Sequence, residues 1–156
     1  MQSEASLGGH IIVGGFGHLG GRIAEHIRKR CLEVVVIEKN IDEVLRQRVV
    51  FLGCELLTGD IADERILLEA GIRKARCLIT ATGDDRANLE AAITARQCNP
   101  NVRIILRLFD DTLARQAELA FGIQLSGLLK QAPSGGVGGG GEAVKVYTCK
   151  NDFPRL

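Results

Sequence analysis

The chain has no tryptophan, one tyrosine and five phenylalanines among 156 residues, so aliphatic side chains must fill its interior. It also has almost no net charge: 20 basic against 19 acidic side chains leave +1. That balance excludes the broad positive field by which nucleic acid or an anionic membrane surface is held, so no nucleic-acid partner is expected. No apolar run approaches the roughly 20 residues that span a bilayer. The opening residues MQSEASLGG lack the basic and apolar blocks of a secretory signal, so a soluble, cytoplasmic protein is expected. Five cysteines, at 31, 54, 77, 98 and 149, include no Cys-x-x-Cys pair and several sit in apolar runs, so they read as reduced and structural. His10, His18 and His26 lie eight residues apart, without the i,i+4 spacing of helical metal ligands, and no metal is expected.

What is present is 46% hydrophobic residues in a length that suits one domain with a core of its own. Apolar runs rich in β-branched residues predict strands over 11–13, 34–37, 54–58, 76–81, 102–108 and 123–125. Between them, helical spacing and capping residues predict helices up to about residue 30, then over 42–48, 63–70, 84–98 and 110–121. Leu19, Ile23 and Ile27 mark the first, Gly71 closes the third, and Gly122 caps the last. Strand and helix alternate throughout, which predicts an α/β fold, a Rossmann-like doubly wound parallel sheet of about six strands in a single domain. Residues 1–8 read as a disordered leader and 9–128 as the domain. Residues 129–156 read as a glycine-rich linker and tail of unknown role, with one strand-like patch at 144–147.

Gly15, Phe16, Gly17, His18, Leu19 and Gly20 form GxGxxG, directly after a strand and at the opening of a helix. Glu38 ends the next strand 23 residues after Gly15, near the roughly 20 expected of a dinucleotide-binding unit. In such a turn Gly15 permits the sharp bend, Gly17 lets a pyrophosphate approach the backbone, and Gly20 lets the helix pack closely on the strand. Glu38 would accept from ribose hydroxyls and repel a 2′-phosphate, favouring NAD or an adenine nucleotide over NADP, with Lys39 weakening that exclusion. The plainer reading is a tight strand-to-helix turn beside a solvated strand-end glutamate.

Ligands of doubly wound sheets lie beyond the carboxyl ends of the strands, which brings in Gly59, Asp60, Thr80, Ala81, Thr82, Gly83 and Arg107. Asp60 would accept from an adenine amino group or cap the third helix; Asp84 and Asp85 read as caps. Asn88 points at the cleft or is an exposed polar residue, the latter being favoured. Arg107 reaches a phosphate or pairs with Asp110 or Asp111. No nucleophile and base stand at a recognisable spacing, so a non-enzymatic binding module is expected. The alternatives are the NAD-binding domain of an oxidoreductase separated from its substrate domain, and an interaction scaffold that has lost its ligand.

Four blocks, IIVGGFGHLGGRIAEHI, VVVIEKN, LLTGDIADERILLEAGI and CLITATGDDRANLEAA, resemble in content and order the RCK, or TrkA-N, domain over about residues 9–128. The resemblance implies a cytosolic regulatory module of potassium channels or of Trk, Ktr or Kef-type transporters, which binds NAD(H), AMP, ADP or ATP. It implies that Gly15, Gly17 and Gly20, with Phe16, His18 and Leu19 between and beside them, face the phosphates, and that Glu38, beside Lys39, faces the ribose. Asp60 and Ile61 would face the adenine, and Thr80 to Gly83, with Arg107 nearby, the rest of the ligand. The chain departs from ATP-regulated relatives, which often carry arginine where His18 stands. It is expected to be an amino-terminal lobe without the family's carboxyl-terminal ligand domain or a pore, working against a potassium channel or transporter membrane subunit. A homodimer or higher ring is implied too, with Ala91, Ala92, Ala95, Leu113 and Ala117 either at a partner or packed on the sheet.

Overall fold

Strands covered on both faces need apolar residues at every position, and β1 (Ile11–Gly14), β2 (Val34–Glu38) and β4 (Cys77–Thr80) are buried almost throughout. A computed structural model of the chain describes residues 8–121, 125–127 and 145–149. The leader at 1–7, Gly122 and the glycine-rich stretch within 128–144 lie outside these residues. The remaining elements are α1 (His18–Arg28), α2 (Glu43–Phe51), β3 (Glu55–Thr58), α3 (Glu64–Glu69), α4 (Asp85–Cys98), β5 (Arg103–Leu108), α5 (Asp111–Phe121), β6 (Leu125–Gly127) and β7 (Lys145–Cys149).

The sheet runs β3-β2-β1-β4-β5-β7-β6, and its first five strands are parallel. β1 is the switch point, with β2 on one side and β4 on the other, so a crevice opens beyond its carboxyl end. β7 enters antiparallel between β5 and β6, pairing with Ile104 to Leu108. Residues that the sequence left to a tail thus extend the sheet. Of the strand expected over 123–125, residues 123 and 124 lie outside the described residues, and Leu125 belongs to β6.

The two-residue period of the strands sorts the core into two layers. Ile12, Val35, Ile37, Leu78 and Ile104 pack on one face with Leu67, Leu89 and Ala114 from α3, α4 and α5. Ile11, Val13, Val34, Val36 and Ile79 pack on the other with Ala24 of α1 and Val49 of α2. Ala91, Ala92, Ala95 and Ala117 lie in the first layer, at most 1% exposed, and Leu113 packs against it. Their small size therefore serves helix–sheet packing inside the chain.

Burial raises the thiol pKa of Cys77 to about 11, so that side chain stays protonated and inert. Cys31, by contrast, is exposed, at φ +58° just past the end of α1. Among the described residues no helix is long and apolar enough to cross a membrane.

Candidate functional site

The turn between β1 and α1 is built around contacts that only glycine permits. Gly15 has φ +93° and donates its amide to the Ile37 carbonyl at 2.8 Å; a Cβ there would lie 2.9 Å from the Thr82 nitrogen. At Gly20 a Cβ would drive into the carbonyl of Gly15. Gly17 differs: a Cβ there would meet nothing within 4 Å. The protein's own packing explains two of the motif's glycines and leaves the third open to the cleft.

The helix that follows is left without an anion of its own. α2, α3 and α4 each begin at an aspartate, Asp42, Asp63 and Asp84, whose carboxylate accepts amides of the first turn. Asp110 does the same for α5, accepting from Thr112 at 2.8 Å and Leu113 at 3.3 Å. α1 begins at Gly17 with no side-chain cap and no acidic residue in its first turn. Its unpaired amides and the positive end of its dipole are thus presented to whatever anion occupies the cleft.

On the β2–β3 side, Glu38 reaches back to the turn. One of its oxygens, Oε2, accepts from the Phe16 amide at 2.7 Å, and Oε1 accepts from the amides of Lys39 and Asn40 at 2.9 and 3.0 Å. The carboxylate is thereby fixed at the rim of the groove that also holds Gly17. Across from it, Lys39 Nζ pairs with Asp60 Oδ2 at 3.2 Å, while Asp60 Oδ1 accepts from the Ala62 amide at 2.9 Å. That amide above all, with Lys39 beside it, holds the Asp60 carboxyl below its ordinary pKa against an opposing push from burial. Asp60 does not cap α3, as one sequence reading had it; the cap is Asp63, three residues on.

The β4–β5 side is held by a buried amide. Asn88, which sequence reasoning favoured as exposed, is 0% exposed and grips Thr82 and the Arg107 carbonyl. Burial cannot be read from one polar residue on a helix, and no other signal in the sequence marks this one. The Arg107 guanidinium lies 4.3 Å from the Phe109 ring centroid and donates to the Ala81 carbonyl at 3.3 Å, turned toward the wall of the cleft. Asp85 does not cap α4 either; Asp84 does, and Asp85 Oδ2 accepts from the amides of Phe109 and Asp110.

Together these groups line one cleft of about 830 Å³, within the range of small-molecule sites. Gly15, Gly17, His18 and Leu19 form its centre, Glu38, Lys39, Asp60 and Ile61 one half, and Ala81, Thr82, Gly83 and Arg107 the other. Asn40, Asp84 and Ala87 join them without having been singled out for the ligand. Three candidates stand behind the wall instead. Phe16 is buried in the opposite core layer, with Arg48 stacked 5.4 Å from its ring, so only its backbone faces Glu38. Gly20 sits under the turn, and Thr80 is 1% exposed inside β4. Among the described residues no group of three or more histidine, cysteine or acidic side chains is placed to hold a metal.

Residues 11–124 match the TrkA-N domain family. The chain is 32% identical over 101 residues to a Trk system potassium uptake protein TrkA homolog of Pyrococcus horikoshii, a stretch covering 65% of this chain and 44% of that protein. It spans less than half the length of the curated relatives it matches first. In fold it is similar to a GsuK channel bound to NAD, with a TM-score of 0.61 at 21% identity over 74% of this chain and 20% of that one. It is equally similar to the Shewanella denitrificans Kef CTD in its AMP-bound form, with a TM-score of 0.61 at 21% identity over 72% of this chain and 66% of that one. The strand order, the glycine turn after β1 and a family match over most of the sequence agree, and the chain belongs to the TrkA-N domain family.

Proposed function

We propose that this chain is a regulatory domain that binds NAD(H) or an adenine nucleotide across the α1 turn and passes its occupancy to a potassium-transporting membrane partner. The observation that carries the reading is the uncapped start of α1, opposite the fixed Glu38 carboxylate, where the other four helices among the described residues are all started by aspartate. A diphosphate would satisfy the free amides at Gly17 and beyond, while Glu38 accepts from a ribose. Occupants of similar folds, NAD in the channel and AMP in the Kef domain, support that ligand class. The potassium uptake relative supports a transport partner. On this reading the domain sits on the cytoplasmic side of that partner and is regulatory, not catalytic.

Thermal unfolding with NAD, NADH, AMP, ADP and ATP tests the reading, because a ligand that binds only the folded state stabilises it. At a hundredfold excess over Kd the gain is about 2.7 kcal/mol, enough to raise the midpoint by several degrees. An unchanged midpoint with all five would refute it.

A further inference from the structure

Asp85 and Asn88, on neighbouring turns at the start of α4, hold backbone groups from two separate segments. Asn88 uses its whole hydrogen-bonding capacity. Its Oδ1 accepts from the Thr82 hydroxyl at 2.6 Å and the Thr82 amide at 3.3 Å, and its Nδ2 donates to the carbonyls of Thr82 at 3.1 Å and Arg107 at 3.0 Å. Asp85 Oδ2 accepts from the amides of Phe109 and Asp110, both at 2.8 Å. Asp110 in turn caps α5 through Thr112 and Leu113, and its carbonyl accepts from Ala114 at 3.1 Å. Thr82 and Gly83 line the cleft, so one wall of the site and the first turn of α5 hang on the same helical turns.

We propose that Asp85 and Asn88 are positioning residues that couple the Thr82–Gly83 wall of the cleft to the start of α5, so that a nucleotide seated there stiffens residues 109–114. The inference rests on the nucleotide reading above and adds the route by which occupancy leaves the site. Asn88 is buried at 0% exposure, where each hydrogen bond is strengthened by its surroundings and a partial break leaves unpaired groups. The wall therefore moves with α4 as a unit. Both amides at the β5–α5 junction depend on one carboxylate oxygen, so a shift of α4 either holds them together or releases them together.

Backbone hydrogen exchange on the full chain, with and without NAD or AMP, tests the coupling. In the wild type, ligand slows exchange at 82–83 and also at 109–114, the latter by about threefold or more. In Asp85→Ala the slowing at 82–83 persists and that at 109–114 disappears. Arg86→Ala, on the same turn but exposed and with its side chain paired to Glu90, keeps both effects. A purely structural role for Asp85 would lower protection at 109–114 without making it respond to ligand. Wild-type slowing confined to 82–83, or ligand-dependent slowing at 109–114 that survives in Asp85→Ala, overturns the proposal. Should Asp85→Ala not fold, the wild-type comparison still decides, and Asp85→Asn, which removes the charge from both amide bonds, must shrink the response. Binding without coupling defeats this inference alone; a midpoint that no nucleotide shifts defeats the nucleotide reading and the coupling with it.

Discussion

The two halves of the cleft are held in different ways. On the β2–β3 side the working groups are charged and in contact with solvent: Glu38 grips three amides, and Lys39 and Asp60 form an exposed pair. On the β4–β5 side a neutral, fully buried asparagine fixes the wall, and the cation of Arg107 rests on an aromatic ring. Exposed charges are screened and reorganise easily, whereas a buried amide whose oxygen and nitrogen are both fully paired resists partial motion. The first half suits recognition of a ribose and a base. The second is a rigid wall joined to the next helix. Gly17 and Gly20 repeat the contrast within the turn: the fold itself forbids a side chain at one, and only a ligand would forbid it at the other.

Substitutions can break or sharpen this comparison. Gly20→Ala forces a methyl into the Gly15 carbonyl and should destabilise the fold by about 3 kcal/mol, read from urea unfolding. Asn88→Ala leaves buried groups of Thr82 and Arg107 without partners and should cost about 2 kcal/mol in the same assay, well beyond any change on the charged side. Gly17→Ala should stay within about 1 kcal/mol of wild type in stability, since the loss is only that of a helix start. Its nucleotide affinity should nevertheless fall by about tenfold, because the methyl stands where the diphosphate approaches. Wild-type affinity in that variant would remove Gly17 from the site.

Lys39→Ala should be the mildest, below about 0.5 kcal/mol, as an exposed pair is screened. Asp60 has a folded pKa below its unfolded value, so its contribution is present above the ordinary aspartate range near pH 4 and is lost as pH falls through the folded value. A stability profile from pH 6 to pH 2 should show only a small acid loss from this residue. It should persist in part in Lys39→Ala, because the Ala62 amide is the larger cause.

The strand–helix alternation was legible because each parallel strand is a continuous apolar run and each helix has a capping residue or a glycine at its end. Gly15, Gly17, Gly20 and Glu38 could be placed for the same reason: their spacing is local. Contacts that cross the chain were not. Asn88 joins groups 6 and 19 residues away, and Asp85 reaches amides 24 and 25 residues away, which no local pattern encodes. Asp60 and Asp63 are the same residue type three positions apart; the helix expected over 63–70 starts at Asp63, and only the geometry shows that Asp60 turns its carboxylate to the Ala62 amide and Lys39 instead. The alanines of α4 fit a sheet or a partner helix equally well by size, and burial places them on the sheet. The β7 strand pairs with β5 some forty residues earlier, beyond a stretch of glycine that conceals any continuity.

Calorimetric titration of NAD and AMP into wild type and Glu38→Ala bears most directly on whether this crevice is a nucleotide site. The account predicts saturable one-to-one binding to the wild type and a loss of about 1 to 3 kcal/mol when the carboxylate is removed. Equal affinity in the two proteins would contradict it.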